Sequence, residues 1–300
     1  MEYHVSPFIK AEHTGVQTKP LSDDPYAYVS SMDPLTRHEY YYILKKIEQG
    51  WITERDIEIV RFLYVHRWLT LAQISRLFFS ETEREATVRN RVRKLIKYGL
   101  LRKIQWASYS NPNENRPSYY ELGSSGADIL KFRFGAFLGH RDPRNPKETT
   151  MLFRMKYITT NEFYIQLLAS FEVTHFEFHP ILTLNDQQQI PTAKYILKNP
   201  KGRELLFYLI CHREDEKWMK TIRYQAQFFK QYLATEEKAI LVVILSTADK
   251  AEMARMVLEQ EGALEHTWFV TDEDLYNKEV KLSQGFFVFK DGKKVYYDLE

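Results

Sequence analysis

The chain has 300 residues, 44% of them hydrophobic, and a formal net charge of +2. These values exclude an intrinsically disordered chain, and the length suits two domains of ordinary size. The single cysteine, Cys211, excludes a disulfide framework and a cysteine-rich zinc module. Because there is no long apolar run and no signal-peptide pattern at the N-terminus, we expect a cytoplasmic protein with no membrane partner.

The first residues predict an arm and then a helix. Residues 1–33 mix proline, serine, aspartate and histidine without periodicity, which is typical of a flexible arm. Residues 34–50 are periodic, and they predict a helix that starts near Pro34 and Thr36 and ends at Gly50. We expect this helix to pack on the next domain or on a second subunit.

The next segment begins with two helices. Thr53 stands three residues before Asp56, which is the spacing of a capping box at the start of a first helix. Thr70 is the expected N-cap of a second, short helix that runs to about Phe79.

A third helix and a β-hairpin follow. Residues 82–98 carry an apolar stripe at helical spacing, and Gly99 stands where a helix-ending glycine is expected. Residues 100–110 and 118–122 then predict two strands joined by a polar loop. Together with the helices before them, they predict a winged helix-turn-helix domain within residues 34–131.

The exposed positions of this third helix are cationic. No acidic residue occurs between Ala86 and Asn113, although the whole chain is nearly neutral. Such a helix fits the major groove, where Arg and Asn bind base edges and Lys binds phosphates. Arg116, near the loop of the hairpin, is expected to reach a phosphate or the minor groove. The predicted DNA-binding residues are Arg84, Thr87, Asn90, Arg91, Arg93, Lys94, Lys97, Arg102, Lys103 and Arg116. The alternatives are a solvated basic face and a protein-interaction module.

Three stretches carry a family resemblance: ITERDIEIVRFLYVHRWLTLAQISRLFF at 52–79, VRNRVRKLIKYGLLRKI at 88–104 and YYELGSSGADIL at 119–130. They resemble the replication-relaxation family, which occurs on plasmids and integrative elements of bacteria. The resemblance implies a DNA-binding role in the replication or processing of a plasmid or mobile element, or in its control.

Residues 132–150 contain glycine, proline and several charges, and they predict a linker. Residues 151–300 then alternate in the order α-β-β-β-α-β-α-β, which predicts an α/β domain with a central mixed sheet. The turn residues Asp291 and Gly292 predict a C-terminal hairpin. The expected fold class is therefore a multi-domain α/β protein. Basic residues on helix 215–233 and in the linker are either solvated or a second nucleic-acid contact.

The order of elements in residues 151–300 is similar to the PD-(D/E)xK nuclease core, a restriction-endonuclease-like fold. The resemblance implies metal-binding carboxylates at two places, where this chain has Pro191-Thr192 and Ile210-Cys211-His212. Since these side chains are not the oxygen anions that Mg²⁺ prefers, we expect an inactive nuclease core. A migrated site built on Asp186, Glu204 or the acidic residues 215–216 is the alternative.

Other patterns that would indicate a metal, catalytic or phosphate-binding site are weak. His175 and His179 have a spacing that would share one strand face, but no third zinc ligand is evident. Cys211 and His212 are adjacent on a strand and point to opposite faces, which excludes a dyad. The chain has no glycine-rich phosphate loop, so we expect no cofactor and no metal.

The sequence thus favours a non-enzymatic, sequence-specific protein that binds double-stranded DNA, as a homodimer. It would act in the control of transcription, replication or DNA processing, with replication or conjugation proteins as further partners. The alternatives are a metal-dependent nuclease or nicking enzyme and a protein-binding adaptor in a DNA-processing complex.

Overall fold

A computed structural model describes residues 24–110, 116–198, 202–213, 217–235, 239–277, 279–297 and 299. It divides into two compact units, one of Tyr26–Asn161 and one that includes Glu162–Glu300. The boundary lies later in the chain than the predicted linker, residues 132–150. The first 23 residues of the predicted arm lie outside the described residues.

The first unit packs helices against a four-stranded antiparallel sheet. Its helices are α1 (Tyr40–Glu48), α2 (Glu54–His66), α3 (Leu71–Phe78), α4 (Glu85–Lys97), α5 (Ser124–Phe134) and the first part of α6 (Met151–Ser170). Its strands are β1 (Ala27–Met32), β2 (Leu69–Thr70), β3 (Leu101–Ser108) and β4 (Tyr119–Leu122), in the sheet order β1-β3-β4-β2. The three expected helices and the two strands after them are therefore present.

The predicted starts of α2 and α3 are confirmed. The backbone N–H of Thr53 donates to Asp56 Oδ2 over 2.7 Å, as in a capping box. The backbone N–H of Thr70 donates to Gln73 Oε1 over 3.0 Å, and the N–H of Gln73 donates back to Thr70 Oγ1 over 3.2 Å. These local bonds satisfy donors that the first turn of a helix leaves open.

Part of the predicted arm is a strand, which corrects that prediction. Residues 27–32 form β1 and pair with β3, so that Tyr28 lies opposite Ala107. The reason is non-local: β3 has an edge to which an extended segment adds, whatever its own periodicity. The following helix also starts later than expected, at Tyr40: Asp33 N–H donates to Lys103 O over 3.0 Å and His38 N–H donates to Ser125 Oγ over 3.1 Å, so the chain before α1 bonds to other elements.

The expected linker, residues 132–150, is tied to the first unit. Arg144 pairs with Asp128 over 2.6 Å and with Asp142 over 2.7 Å. Arg141 donates to the backbone oxygen of Tyr64 over 3.0 Å. Carboxylates and carbonyls of the same unit thus hold these two cations, which does not favour them as part of the second nucleic-acid contact considered for the linker.

The second unit is a seven-stranded mixed sheet with helices on both faces. Its helices after α6 are α7 (Trp218–Thr235), α8 (Ala248–Glu261) and α9 (Asp272–Leu275). The strands of the sheet are β5 (Glu172–Phe178), β8 (Ala193–Lys198), β9 (Glu204–Cys211), β10 (Ile240–Leu245), β11 (Thr267–Thr271), β12 (Phe287–Lys290) and β13 (Lys293–Tyr296). Two further strands, β6 (Leu182–Leu184) and β7 (Gln187–Gln189), pair only with each other. The sheet order is β13-β12-β11-β10-β9-β8-β5, and β9, β10 and β11 are parallel.

Alternation along β10 distributes the core over both faces of this sheet. Leu241 and Val243 contact the apolar side of α7 and α8, whereas Val242 and Ile244 lie in the cluster on the other face with Phe163 of α6. A strand that is apolar at every position is thus explained by burial on two sides.

One hairpin was not predicted. Strands β6 and β7 pair with each other and are joined by Asn185 and Asp186, whose φ values of 45° and 65° fit a two-residue turn. The expected single strand of residues 175–182 therefore ends at Phe178. The expected C-terminal hairpin at Asp291 and Gly292 is confirmed by β12 and β13.

Candidate nucleic-acid interface

Helix α4 buries one side and exposes the other. Val88, Val92 and Leu95 are buried at helical spacing, which turns the opposite side outward. The exposed residues on the outward side include Arg84, Thr87, Asn90, Arg93, Lys94 and Lys97. Within the described part of the chain, the side chains of Arg84, Lys94 and Lys97 form no ion pair, whereas Arg89 pairs with Glu85 on the same helix.

Arg91 is held inside the first unit, contrary to its predicted role at DNA. Its Nε donates to Asp56 Oδ1 over 2.9 Å, and its Nη2 donates to Trp51 O over 3.0 Å and also to Asp56 Oδ2. The Asp56 side chain is 0% exposed and that of Arg91 is 18% exposed. Hydrogen bonding to Asp56 raises the pKa of Arg91. Arg91 therefore joins α4 to the start of α2.

Arg102 is likewise paired, which corrects a second predicted DNA contact. Its Nε donates to Glu121 Oε1 over 2.7 Å across the β3–β4 pair. Glu121 Oε2 also accepts from Trp68 Nε1 over 2.7 Å and from Arg154 Nη1 over 3.4 Å. Both members of the Arg102–Glu121 pair are largely buried. This cluster holds one face of the hairpin together, because a largely buried carboxylate needs a paired cation and hydrogen-bond donors.

The other face of the hairpin continues the exposed side of α4. Side chains alternate along a strand, so Lys103 shares its face with Tyr120, its partner on β4, and not with Arg102. Burial raises the pKa of Tyr120, the nearby Arg89 and Arg93 guanidinium groups lower it, and the nearby Asp33 carboxylate raises it. The α4 cations therefore lie beside this face. The α4 surface is defined here as Arg84, Thr87, Asn90, Arg93, Lys94, Lys97 and Lys103.

Arg116 lies away from the α4 surface. Its guanidinium stacks on Trp106, 4.5 Å from the ring centroid, and Trp106 Nε1 donates to Pro117 O over 3.0 Å. Since Trp106 alternates with Gln105 along β3, this stack is on the opposite face from Lys103. The tip of the predicted loop, residues 111–115, lies outside the described residues.

In the second unit, the two predicted nuclease positions are adjacent but carry no carboxylate. Thr192 Oγ1 accepts from the backbone N–H of Cys211 over 3.0 Å, and Thr192 N–H donates to Leu209 O over 2.8 Å. Thr192 and Ile210 are both buried. Glu204 lies at the other end of β9, opposite Lys198, about 20 Å along the strand from these positions.

The histidine pair is also separated. His175 Nε2 lies 3.7 Å from Glu177, and His179 follows the end of β5 with a φ of 51°, where strand alternation stops. In the described ranges there is no group of three or more His, Cys, Asp or Glu residues placed to hold a metal ion. Residues 214–216, which include two of the acidic alternatives, lie outside those ranges.

Sequence reasoning missed a buried ion pair at the carboxyl edge of the parallel strands. Arg213, just after β9, donates to Asp272 Oδ1 over 2.9 Å, and both side chains are almost fully buried. Only the parallel order of β9, β10 and β11 brings these distant positions together. His212 Nε2 is 2.9 Å from Gln225 Oε1, in agreement with a polar turn.

The polar side of α7 is partly used for packing. Arg223 pairs with Glu261 of α8 over 3.1 Å, and Gln227 donates to the same carboxylate over 3.0 Å. These contacts join α7 to α8, whereas Lys220 and Lys230 are exposed, and a second nucleic-acid contact on this helix stays a prediction.

These features define a mixed α/β protein whose first unit presents a cationic helix beside a β-hairpin. Residues 60–186 match the family model described as replication-relaxation, which confirms the predicted resemblance over that segment. Comparison with curated proteins and with solved structures gave no match. No helix in the described ranges has both the length and the apolar character needed to cross a membrane. The resemblance of the second unit to a nuclease core stays a prediction.

Proposed function

We propose that residues 51–131 form a winged-helix domain that binds double-stranded DNA with α4 as its recognition helix. The order of elements supports this assignment: α2, β2, α3 and α4 precede the β3–β4 hairpin, and β2 pairs with β4. The observation that carries the proposal is the α4 surface, where seven exposed or partly exposed polar and cationic side chains lie together, while the exposed Glu85 of the same helix is paired with Arg89.

The side chains of the α4 surface suit two kinds of contact. Asn90 and Arg93 are of the types that bind adenine and guanine edges in the major groove. Lys94 and Lys97 are point charges suited to phosphates. A helix of 13 residues is about 20 Å long, which is enough to lie in a groove about 12 Å wide.

The family match adds the biological setting. It supports a role in the replication or DNA processing of a plasmid or mobile element, including its control. A homodimer is proposed because two half-sites multiply affinity and specificity. Replication or conjugation proteins are the proposed further partners, and the cytoplasm is the proposed location.

The second unit is proposed to be a nuclease-like core without activity. Its order α6, β5, β8, β9, α7, β10, with β10 parallel to β9, supports the nuclease-like fold. The positions that would bind Mg²⁺ are Thr192 and Ile210, which cannot supply anionic oxygens. With Mg²⁺ or Mn²⁺, we expect no cleavage of supercoiled plasmid by the full chain. Metal-dependent cleavage that Glu204→Gln or Asp186→Asn abolishes would instead show the migrated site.

The duplex proposal is tested with the double variant Lys94→Ala/Lys97→Ala and a duplex selected from a random library. If both lysines contact phosphates, the slope of log affinity against log salt concentration falls by about 2, and all duplex sequences are weakened alike. Fluorescence anisotropy over a range of salt concentrations measures both quantities.

The matched control is Lys45→Ala/Lys131→Ala, which removes the same two charges from exposed positions on α1 and α5. We expect this control to keep the wild-type slope within about 0.5, since distant exposed charges are screened. Equal slopes for wild type and Lys94→Ala/Lys97→Ala would overturn the assignment of α4 as the recognition helix. A wild-type chain that binds no duplex would favour the adaptor alternative.

A further inference from the structure

We propose that a group of exposed and partly exposed tyrosines at the end of the β1–β3 pair binds unpaired bases of DNA, next to the duplex held by α4. This tyrosine platform consists of Tyr26, Tyr28 and Tyr109. The inference rests on the proposed DNA-binding function and extends it to a junction between double-stranded and single-stranded DNA.

The platform is built by strand pairing. Tyr109 N–H donates to Tyr26 O over 3.2 Å, which extends the β1–β3 pairing past the last residue of β3. The rings of Tyr28 and Tyr109 stack with their centroids 4.3 Å apart and their planes within 20°. Tyr109 is nevertheless 74% exposed, and Tyr26 is 62% exposed. One face of the Tyr109 ring is therefore covered by Tyr28, and the other face is exposed.

The position of the platform distinguishes it from scattered exposed tyrosines, which are ordinary on protein surfaces. Tyr28 lies opposite Ala107, which alternates with Gln105 and Lys103 along β3, and Tyr109 stacks on Tyr28, so the platform lies on the face of Lys103 and Gln105. Lys103 belongs to the α4 surface, and Ser31 of β1 donates to Gln105 on the same face. This face therefore forms a track of about 20 Å from the α4 surface to the platform.

The chemistry favours an unpaired base as the occupant. The faces of bases in a duplex are covered by their neighbours, so an aromatic ring gains a base face only where the strand is unpaired. Phenol rings carry no charge for a phosphate, whereas the cationic α4 surface at the other end of the track attracts the nucleic-acid backbone. Stacking on aromatic side chains together with a cationic path is the usual means of binding single strands without reading sequence.

The experiment compares two DNA ligands: the selected duplex with blunt ends, and the same duplex extended by a single-stranded thymidine tail, with 5′ and 3′ tails tested separately. We expect the wild-type full chain to bind one tailed duplex at least about fivefold more tightly than the blunt duplex. Tyr109→Ala should remove this gain and leave affinity for the blunt duplex unchanged. Tyr109→Phe should keep the gain, because stacking needs the ring and not the hydroxyl.

The control variant is Tyr41→Ala, which removes an equally exposed tyrosine (76%) on α1, away from β1 and β3. It should keep the gain from the tail. A 2-aminopurine base in the tail gives a second readout, because its fluorescence falls when it stacks on a ring.

Three results would overturn the inference. One is a blunt duplex that binds as well as both tailed duplexes, which leaves the duplex proposal intact. Another is that Tyr41→Ala and Tyr109→Ala reduce the extra affinity for the tailed duplex to the same extent. The third is a loss of self-association in Tyr109→Ala by ultracentrifugation without any change in DNA binding, which would make the platform an interface between copies. Binding of tailed DNA through the tail alone would support the platform and overturn the duplex proposal.

Discussion

Asp56→Ala is expected to lower the free energy of unfolding by about 3–5 kcal/mol, the usual cost of removing one partner of a buried ion pair. The substitution leaves the Arg91 guanidinium with the backbone oxygen of Trp51 but without its carboxylate. It also removes the acceptor for the backbone N–H of Thr53 at the start of α2. Urea denaturation of the full chain, followed by circular dichroism, measures the change.

The control for this prediction is Glu58→Ala on the same helix. Glu58 pairs with Arg61 over 2.7 Å, but both side chains are exposed, so its loss should cost less than about 1 kcal/mol. Asp56→Asn keeps hydrogen-bonding atoms without the charge and should fall between the two. Equal destabilisation by Asp56→Ala and Glu58→Ala would mean that the buried Asp56–Arg91 pair contributes no more to stability than the exposed pair.

Gly99→Ala should lower the free energy of unfolding of the first unit by more than the cost of placing alanine in a left-handed backbone conformation. Gly99 has a φ of 68°, and a Cβ there would lie 2.3 Å from the backbone oxygen of Thr36 and 2.9 Å from Ser125 Oγ. The left-handed conformation costs an L-residue about 1–2 kcal/mol, and overpacking adds roughly 1–3 kcal/mol. We expect a loss of about 2–5 kcal/mol, measured by urea denaturation.

Gly50→Ala separates the two contributions. Gly50 ends α1 with a φ of 70°, but a Cβ there would have no atom within 4 Å. Its loss should therefore be only the conformational cost of about 1–2 kcal/mol. If Gly99→Ala lowers the free energy of unfolding no more than Gly50→Ala does, the backbone at Thr36 moves away from a Cβ at position 99 at little cost.

These predictions change the interpretation of the α4 arginines. Arg91 and Arg93 look equivalent in the sequence, but Arg91 is bound to a buried carboxylate and Arg93 is exposed. Substitution of Arg91 should act on stability, and substitution of Arg93 should act on DNA affinity. A variant at Arg91 that weakens DNA binding therefore needs a stability measurement before it is assigned to recognition.

Several features were predictable because their signals are local. The capping box at Thr53, the N-cap at Thr70 and the turn at Asp291-Gly292 are each contained within a few residues, and the structure contains all three. The buried stripe of α4 was likewise predictable from the helical spacing of its apolar residues, and the end of α4 from the glycine at position 99.

Other features were not predictable, because the partners are distant in sequence. Strand β1 owes its conformation to the edge of β3, and its own residues carry no strand signal that sequence analysis recognised. The Arg213–Asp272 pair joins residues 59 positions apart, and only the order of the parallel strands brings them together.

By itself, the sequence determined where α2 and α3 begin, where α4 ends, the turn of the C-terminal hairpin, and that one helix carries a concentration of cations. The tertiary structure alone decided which of those cations remain exposed, because each competes for carboxylates that belong to other elements, such as Asp56 and Glu121. The physical reason is range: capping and periodicity act over one or two turns, whereas an ion pair depends on where the whole chain has placed its charges.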